Sequence, residues 1–316
     1  MSNVLQIKGL TVDFVVKGAK VSSPIRGIDL SIEAGETQGV VGETGCGKSL
    51  TALAIMGMLP SNAVRAGSIA LSAVGELTSE NIQQIRGNSI SMIFQNPHSA
   101  FNPVFTIGQQ LLYVAKAKGF SAEQAHAIFP ERLKQVGLAE IPRILQSYPH
   151  ELSGGMLQRC MIAMALLSKP KLLIADEPTT ALDATIGGQV LSLLKRLQRE
   201  QGFAMLFISH DVTAVARVSD RIAVLYAGRI VEDGATADVL GDPQHPYTRG
   251  LLGAIPSRNK ARGTLAAIPG TVPSNTLGMV GCAFKSRCGL ATARCDQEPT
   301  LSPHGHTLVS CWEVRT

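Results

Sequence analysis

"TQGVVGETGCGKSLTALAIMGML", residues 37–59, decides the fold. A short apolar run (37–42) enters a glycine-rich loop, and the loop opens into an apolar helical pattern (48–59) stopped by Pro60. Gly42, Gly45 and Gly47 let the backbone wrap a phosphate chain, so that amide N–H groups and the helix N-terminus face the anion. In this Gly-x-x-x-x-Gly-Lys-Ser pattern Lys48 is spaced to reach the β- and γ-phosphates, and Ser49 to ligate Mg²⁺. Glu43, Thr44, Cys46 and Leu50 complete the loop; Cys46 reads most simply as a small residue tolerated there. A glycine turn that merely holds a lysine needs neither the strand before it nor the helix after it.

Two further apolar runs end in polar groups. "KLLIADE" (171–177) ends in Asp176 and Glu177, carboxylates that are costly beside a buried strand unless they meet a cation or water. Asp176 suits Mg²⁺, and Glu177 suits a base that polarises an attacking water; capping of a following helix is the plain alternative. "FAMLFISHD" (203–211) ends in His210, alone an ordinary surface or core histidine. Between them "IGGQVLSLLKRLQREQG" (186–202) reads as an amphipathic helix closed by Gly202. Apolar strands alternating with helices make an α/β protein with a parallel sheet covered on both faces. Ligands of such sheets sit beyond the carboxyl ends of the strands, where these polar groups fall.

The rest of the chain fills in around that core. "VLQIKGLTVDF" and "GIDLSIEAGE" alternate as half-buried antiparallel strands do, and 67–75 and 90–95 are further strand candidates. Residues 104–150 read as mainly helical, punctuated by Pro130, Pro142 and Pro149. "ELSGGMLQR" (151–159) sets Ser153, Gly154 and Gly155 at a second helix N-terminus. One nucleotide does not need two such cradles. A helix cap explains the serine but not the paired glycines. There is no internal repeat and no low-complexity segment.

Composition bounds the function. In 316 residues, 45% are hydrophobic and 17% charged, which suits a globular chain and not a disordered one. The net charge of +5 is small and calls for no nucleic acid. No apolar run approaches a membrane span, and "MSNVLQIKGL" lacks the charged and apolar regions of an export signal, so an intracellular protein is expected. From residue 241 onward the tail carries +4 of the charge (8 Lys/Arg against 4 Asp/Glu), seven of the sixteen prolines and four of the six cysteines. That shift sets the expected boundary: 1–240 a catalytic domain, 241–316 an extension.

With these motifs in hand, the chain resembles the ATP-binding subunit of an ABC transporter, a P-loop NTPase. The resemblance covers essentially the whole length. It rests on the phosphate loop 42–49, the signature "LSGGM" (152–156), "LLIADE" (172–177), the D-loop "TALD" (180–183), the switch "ISHD" (208–211) and the Q-loop "FQNP" (94–97). It implies a mostly parallel sheet core with an antiparallel β subdomain and a helical subdomain over about 96–165. It implies that ATP is hydrolysed, with Glu177, His210, Lys48 and Gln95 catalytic and Ser49, Gln95 and Asp176 around Mg²⁺. Two ATPase domains pair head to tail in this family. Ser153, Gly154 and Gly155 are then expected to close on the other subunit's ATP, with Asp183 at the seam, which resolves the two-cradle problem. Phe14 in "LTVDF" sits about where the family places an aromatic against adenine, although by itself it reads as core. Met156 replaces the commoner Gln of the signature, as is usual in the peptide-importer branch. Leu157 stands where a polar or basic residue is expected, and Cys160 reads as buried.

"YAGRIVEDG" (226–234), "HPYTRGLL" (245–252), "IPG" with "VP" (268–273) and the cysteine tail resemble the dipeptide, oligopeptide and nickel importer group, the long tail favouring peptide or peptide-like cargo. The implied partners are two transmembrane permease subunits, a second homologous ATPase giving a heterodimer, and, indirectly, an extracytoplasmic solute-binding protein. The implied location is peripheral, on the cytoplasmic face of a bacterial membrane. Soluble ABC ATPases of DNA repair would need a long insertion between phosphate loop and signature, where only about 100 residues stand, without heptads. A soluble ATPase with a redox- or metal-sensing tail is the remaining alternative. Cys282, Cys288, Cys295 and Cys311 lack the Cys-x-x-Cys pairs of structural zinc sites, and stable disulfides do not suit a cytosolic chain. Four thiolates suit a Cys₄ iron–sulfur cluster, and the tail resembles the segment holding a 4Fe–4S cluster in peptide-importer ATPases; zinc or unliganded thiols are the alternatives. His304 and His306 read as surface histidines on a loop.

Overall fold

Alternating apolar side chains produce the half-buried strands near the N-terminus, continuous apolar runs produce the buried ones, and short helices fill the intervals. The computed structural model describes residues 3–72, 74–255, 268–273 and 275–314. In chain order the strands are β1 (Asn3–Val16), β2 (Ala19–Glu33), β3 (Thr37–Val41), β4 (Ala63–Leu71), β5 (Gly75–Glu76) and β6 (Ile90–Ile93). They continue as β7 (Leu172–Asp176), β8 (Ala204–Ser209), β9 (Arg221–Tyr226), β10 (Arg229–Ala235), β11 (Ser302–His304) and β12 (Thr307–Val309).

The chain divides into two compact units, Met1–Thr78 with Phe207–Thr316, and Ser79–Leu206. The first holds the antiparallel sheet β2-β1-β4-β5, in which Leu5, Ile7, Leu10 and Val12 of β1 and Ile25, Ile28, Leu30 and Ile32 of β2 are buried. It also holds the parallel pair β3–β9, Gln38 opposite Arg221 through Val41 opposite Val224. Beyond β9 the pairing turns antiparallel, through β10 to β12 and β11. The expected strand over 67–75 begins earlier, at Ala63, and closes at Leu71; Ala73 lies outside the described residues.

The second unit holds the parallel pair β6–β7, Ile90 opposite Leu172 through Ile93 opposite Ala175, and most of the helices. Thr106 and Ser121 open the helices Ile107–Ala117 and Ala122–Gln135 with complete capping boxes to Gln109 and Gln124. Pro130 lies inside the second of these and does not end it, because the Ser121 box and the buried Ala125, Phe129 and Leu133 hold the helix on both sides. Pro142 does open a helix, Ile141–Gln146, and Pro149 opens a single 3₁₀ turn.

Two sequence expectations change here. The helix after the phosphate loop stops at Ile55 rather than Leu59, since Gly57 takes φ 61° and Met58 N–H closes on Leu53 O at 2.8 Å. The extension over 241–316 is not a unit of its own. It shares a unit with the phosphate loop, joined by the β10–β12 ladder, and the expected helical subdomain over about 96–165 sits in a unit that also contains β6 and β7. Residues 256–267 of the extension lie outside the described residues.

Candidate functional site

The phosphate loop is shaped by close backbone approach. A Cβ on Gly42 would lie 2.2 Å from the Leu225 carbonyl oxygen, and Gly45 and Gly47 hold φ 86° and 110°, where glycine alone is unstrained. Gly47 caps the helix Lys48–Ile55 without any side-chain oxygen, so its first turn presents bare amides. Lys48 is buried and its Nζ donates to the carbonyls of Gly42 at 2.7 Å and Glu43 at 3.0 Å. Cys46 is fully buried beside it, and that burial pushes the thiol pKa up. Thr44, Gly45 and Ser49 are exposed and Leu50 half-buried. In the same unit His210 stands exposed at the carboxyl end of β8, where Ser209 Oγ accepts from Asp211 N–H and Asp211 caps the next helix. Phe14, expected as core when read alone, is half-buried on β1 opposite Ser22 and Ala63.

In the second unit a carboxylate is held from two sides. Asp176 ends β7 and Glu177 follows it, 6% and 8% exposed. Gln95 Nε2 donates to Glu177 Oε2 at 3.0 Å, and Thr180 Oγ donates to the same oxygen at 2.9 Å. The Q-loop glutamine and the strand-end glutamate, 82 residues apart, are thus brought together.

The signature and the D-loop also meet within this unit. Ser153 caps the helix Gly154–Ala165, its Oγ accepting from Met156 N–H at 3.3 Å; Asp183 caps the helix Ala184–Gln201, accepting from Thr185 and Ile186 N–H at 3.0 and 2.9 Å. A Cβ on Gly155 would lie 2.7 Å from Ile186 Cγ2, whereas one on Gly154 would meet Leu182 at an ordinary 3.5 Å. Packing against Ile186 thus gives Gly155 a reason of its own within the subunit. Leu157, unexplained by the motif, is fully buried on the inner face of its helix with Cys160, as is Gln158.

The tail supplies groups that the sequence did not mark as site residues. Arg287 forks onto Glu43 of the phosphate loop, Nη1 to Oε2 at 2.7 Å and Nη2 to Oε1 at 3.0 Å, and Glu43 N–H donates to Tyr247 Oη at 2.9 Å. The tyrosine lay in the quoted "HPYTRGLL"; the arginine had no signal beyond its place among the cysteines. His245 caps that tyrosine's helix, its Nδ1 accepting from Tyr247 N–H at 3.0 Å.

The four tail cysteines are free thiols, Cys295 buried and Cys282, Cys288 and Cys311 half-buried. Burial pushes the last three upward, Cys311 to about 11; Cys295 adds to all three shifts, Cys288 to those of Cys282 and Cys311, and Cys282 to that of Cys311. Leu290 N–H donates to Cys288 Sγ and Glu313 N–H to Cys311 Sγ, at 3.4 and 3.3 Å. Among the described residues no three His, Cys, Asp or Glu side chains converge on a single metal ion. No helix among them is long and apolar enough to cross a membrane.

This geometry agrees with what the chain is similar to. The ABC transporter family model matches residues 25–180, and the model for the oligopeptide/dipeptide transporter C-terminal region matches 231–295. The dipeptide transport ATP-binding protein DppD of Bacillus subtilis (strain 168) is 42% identical over 99% of this chain and 95% of its own length. The oligopeptide transport ATP-binding protein OppD of Haemophilus influenzae (strain ATCC 51907 / DSM 11121 / KW20 / Rd) is 42% identical over 99% and 98%. A solved dimeric ATP-binding cassette, MJ0796 bound to ADP and Pi, superposes with a TM-score of 0.64 at 26% identity, covering 73% of this chain and 98% of that one. The chain belongs to the ATP-binding proteins of ABC transporters, and it is an ATPase of that cassette fold. Its tail is the C-terminal region of the oligopeptide/dipeptide group.

Proposed function

We propose that this chain is the ATP-hydrolysing subunit of a peptide importer. It binds beneath two permease subunits, on the cytoplasmic face of the membrane, and converts ATP binding and hydrolysis into uptake of peptides or peptide-like solutes delivered by a binding protein. The observation that carries the reading is the full-length similarity to dipeptide and oligopeptide ATP-binding proteins, tail included.

Residue roles follow from the chemistry. By similarity to ATP-binding cassettes, backbone amides from Gly42 to Leu50 would wrap the phosphates, Lys48 would neutralise the β- and γ-oxygens, and Ser49, Gln95 and Asp176 would each be a ligand of Mg²⁺, directly or through water. Glu177, aligned by Gln95 and Thr180, takes a proton from the attacking water; His210 steadies the γ-phosphate. Phe14 lies against adenine. Ser153, Gly154 and Gly155 serve a second ATPase, a homologue in a head-to-tail pair, with Asp183 at the seam. Cys282, Cys288, Cys295 and Cys311 would hold a 4Fe–4S cluster; the support is a donor set of four thiols with N–H···S hydrogen bonds at two of them, which would have to draw together around it. Bound there, such a cluster supplies a structural cross-link or a one-electron redox centre, and no step of hydrolysis passes through it.

Two measurements test this. Membrane vesicles carrying the chain with its permeases should accumulate labelled di- or oligopeptide only with ATP; accumulation of none, alongside DNA or ribosome binding by the purified chain, overturns the importer reading. Anaerobically purified protein should absorb visible light and lose that absorbance when Cys288 and Cys295 become serine. A colourless protein with stoichiometric zinc overturns the cluster.

A further inference from the structure

Glu43 is only an unspecified position of the phosphate-loop pattern, yet every polar group it owns is engaged. Its carboxylate takes the two-pronged pair from Arg287. Its N–H donates to Tyr247 Oη, and its carbonyl accepts from Lys48 Nζ at 3.0 Å and from Cys46 N–H at 3.3 Å. Two of these partners belong to the tail, and a third is the lysine that faces the phosphates.

The tail groups are themselves rigidly held. The Arg287 side chain is 4% exposed; its Nε donates to Pro269 O at 2.7 Å and its Nη2 also to Gly270 O at 3.2 Å. The guanidinium lies 5.7 Å from the Tyr226 ring centroid and 5.9 Å from that of Phe284. Tyr247 is fully buried against the same two rings, at 4.6 and 5.4 Å, so its hydroxyl is fixed where Glu43 N–H meets it. A forked pair with a buried guanidinium is strong and directional, and a lysine cannot reproduce it.

A loop with three glycines in six residues is floppy by nature, and a ligand that must order it binds less tightly. We infer that Arg287 and Tyr247 are positioning residues for ATP: by clamping Glu43 they preset the phosphate loop and hold Lys48 ready. The inference rests on the phosphate loop being the ATP site, and it does not depend on what the cysteines bind.

The test is ATP affinity of the purified full-length chain, by calorimetry with Mg²⁺, paired with thermal melting without nucleotide and with ATPase rate in the assembled transporter. Arg287→Ala should weaken ATP about tenfold or more and Arg287→Lys should restore little of it. Tyr247→Phe, which removes one hydroxyl and keeps the ring, should weaken ATP about fivefold. Glu43→Gln combined with Arg287→Ala should be no weaker than Arg287→Ala alone. The rate at saturating ATP should stay within about twofold of wild type in Tyr247→Phe, so the loss falls on KM rather than kcat. If Tyr247→Phe and Glu43→Gln, both near-isosteric, bind ATP as tightly as wild type, the inference is overturned, whether or not Arg287→Ala folds. Wild-type protein that binds no ATP would instead overturn the assignment of the loop.

Discussion

Gln95 and Glu177 share a hydrogen bond of 3.0 Å, and Glu177 holds φ 46°, a left-handed backbone that a glutamate enters only at a cost, while making it. The strain turns the carboxylate so that one oxygen collects donors from both Gln95 and Thr180. Glu177→Gln keeps the shape and removes the proton acceptor. Turnover of the assembled transporter should fall about 10²–10⁴-fold with ATP still bound, measured by phosphate release and by nucleotide retention. Near-normal hydrolysis would remove Glu177 from the role of base.

The signature glycines should separate by stability. Gly155→Ala drives a methyl to 2.7 Å from Ile186 Cγ2, an overpacking that costs about 1–3 kcal/mol, so the urea midpoint should fall. Gly154→Ala, whose methyl meets Leu182 at 3.5 Å, should fold as well as wild type or better. Equal midpoints for the two would show that Ile186 yields freely.

Stability should fall on mild acidification through His245. Burial, helped by the charge of Arg249, pushes its pKa from an ordinary 6.5 down to about 3. The folded state therefore refuses a proton that the unfolded chain accepts. The contribution is whole above pH 6.5 and is lost progressively toward pH 3, about 2 kcal/mol by pH 5. Glu232 and Asp233, whose pKa values burial raises, act in the opposite sense, losing stability as pH climbs above the ordinary carboxylate range. His245→Asn keeps a cap for Tyr247 N–H and cannot titrate, so its melting temperature should drop less than wild type between pH 7.5 and pH 5. Parallel profiles for the two proteins would assign the acid sensitivity elsewhere.

What the sequence made legible was local. The phosphate loop, the apolar runs ending in Asp176–Glu177 and His210, and the Ser153 and Gly202 helix ends all announce themselves within a few residues. What stayed hidden is set by distance or by competition. Pro130 reads as a break, yet its neighbours Phe129 and Leu133 bury well enough to carry the helix through it. Leu157 breaks a motif and satisfies a core. The antiparallel β10–β12 ladder joins strands more than 70 residues apart, and Glu43 meets Arg287 across 244 positions, separations at which no spacing rule speaks.

Glu232 gives the tail a standing that its late place in the chain conceals. It is fully buried on β10, and its two carboxylate oxygens accept the backbone amides of Gln244 and His245, at 2.8 and 2.9 Å. A chain shortened to residue 241 would keep that acid but lose both donors and the β12 strand that pairs with β10, unsealing the place where Glu232 is buried. The extension is therefore not an accessory that could be shed to give a minimal ATPase. Removing the tail should loosen the β9–β10 side of the sheet that it caps.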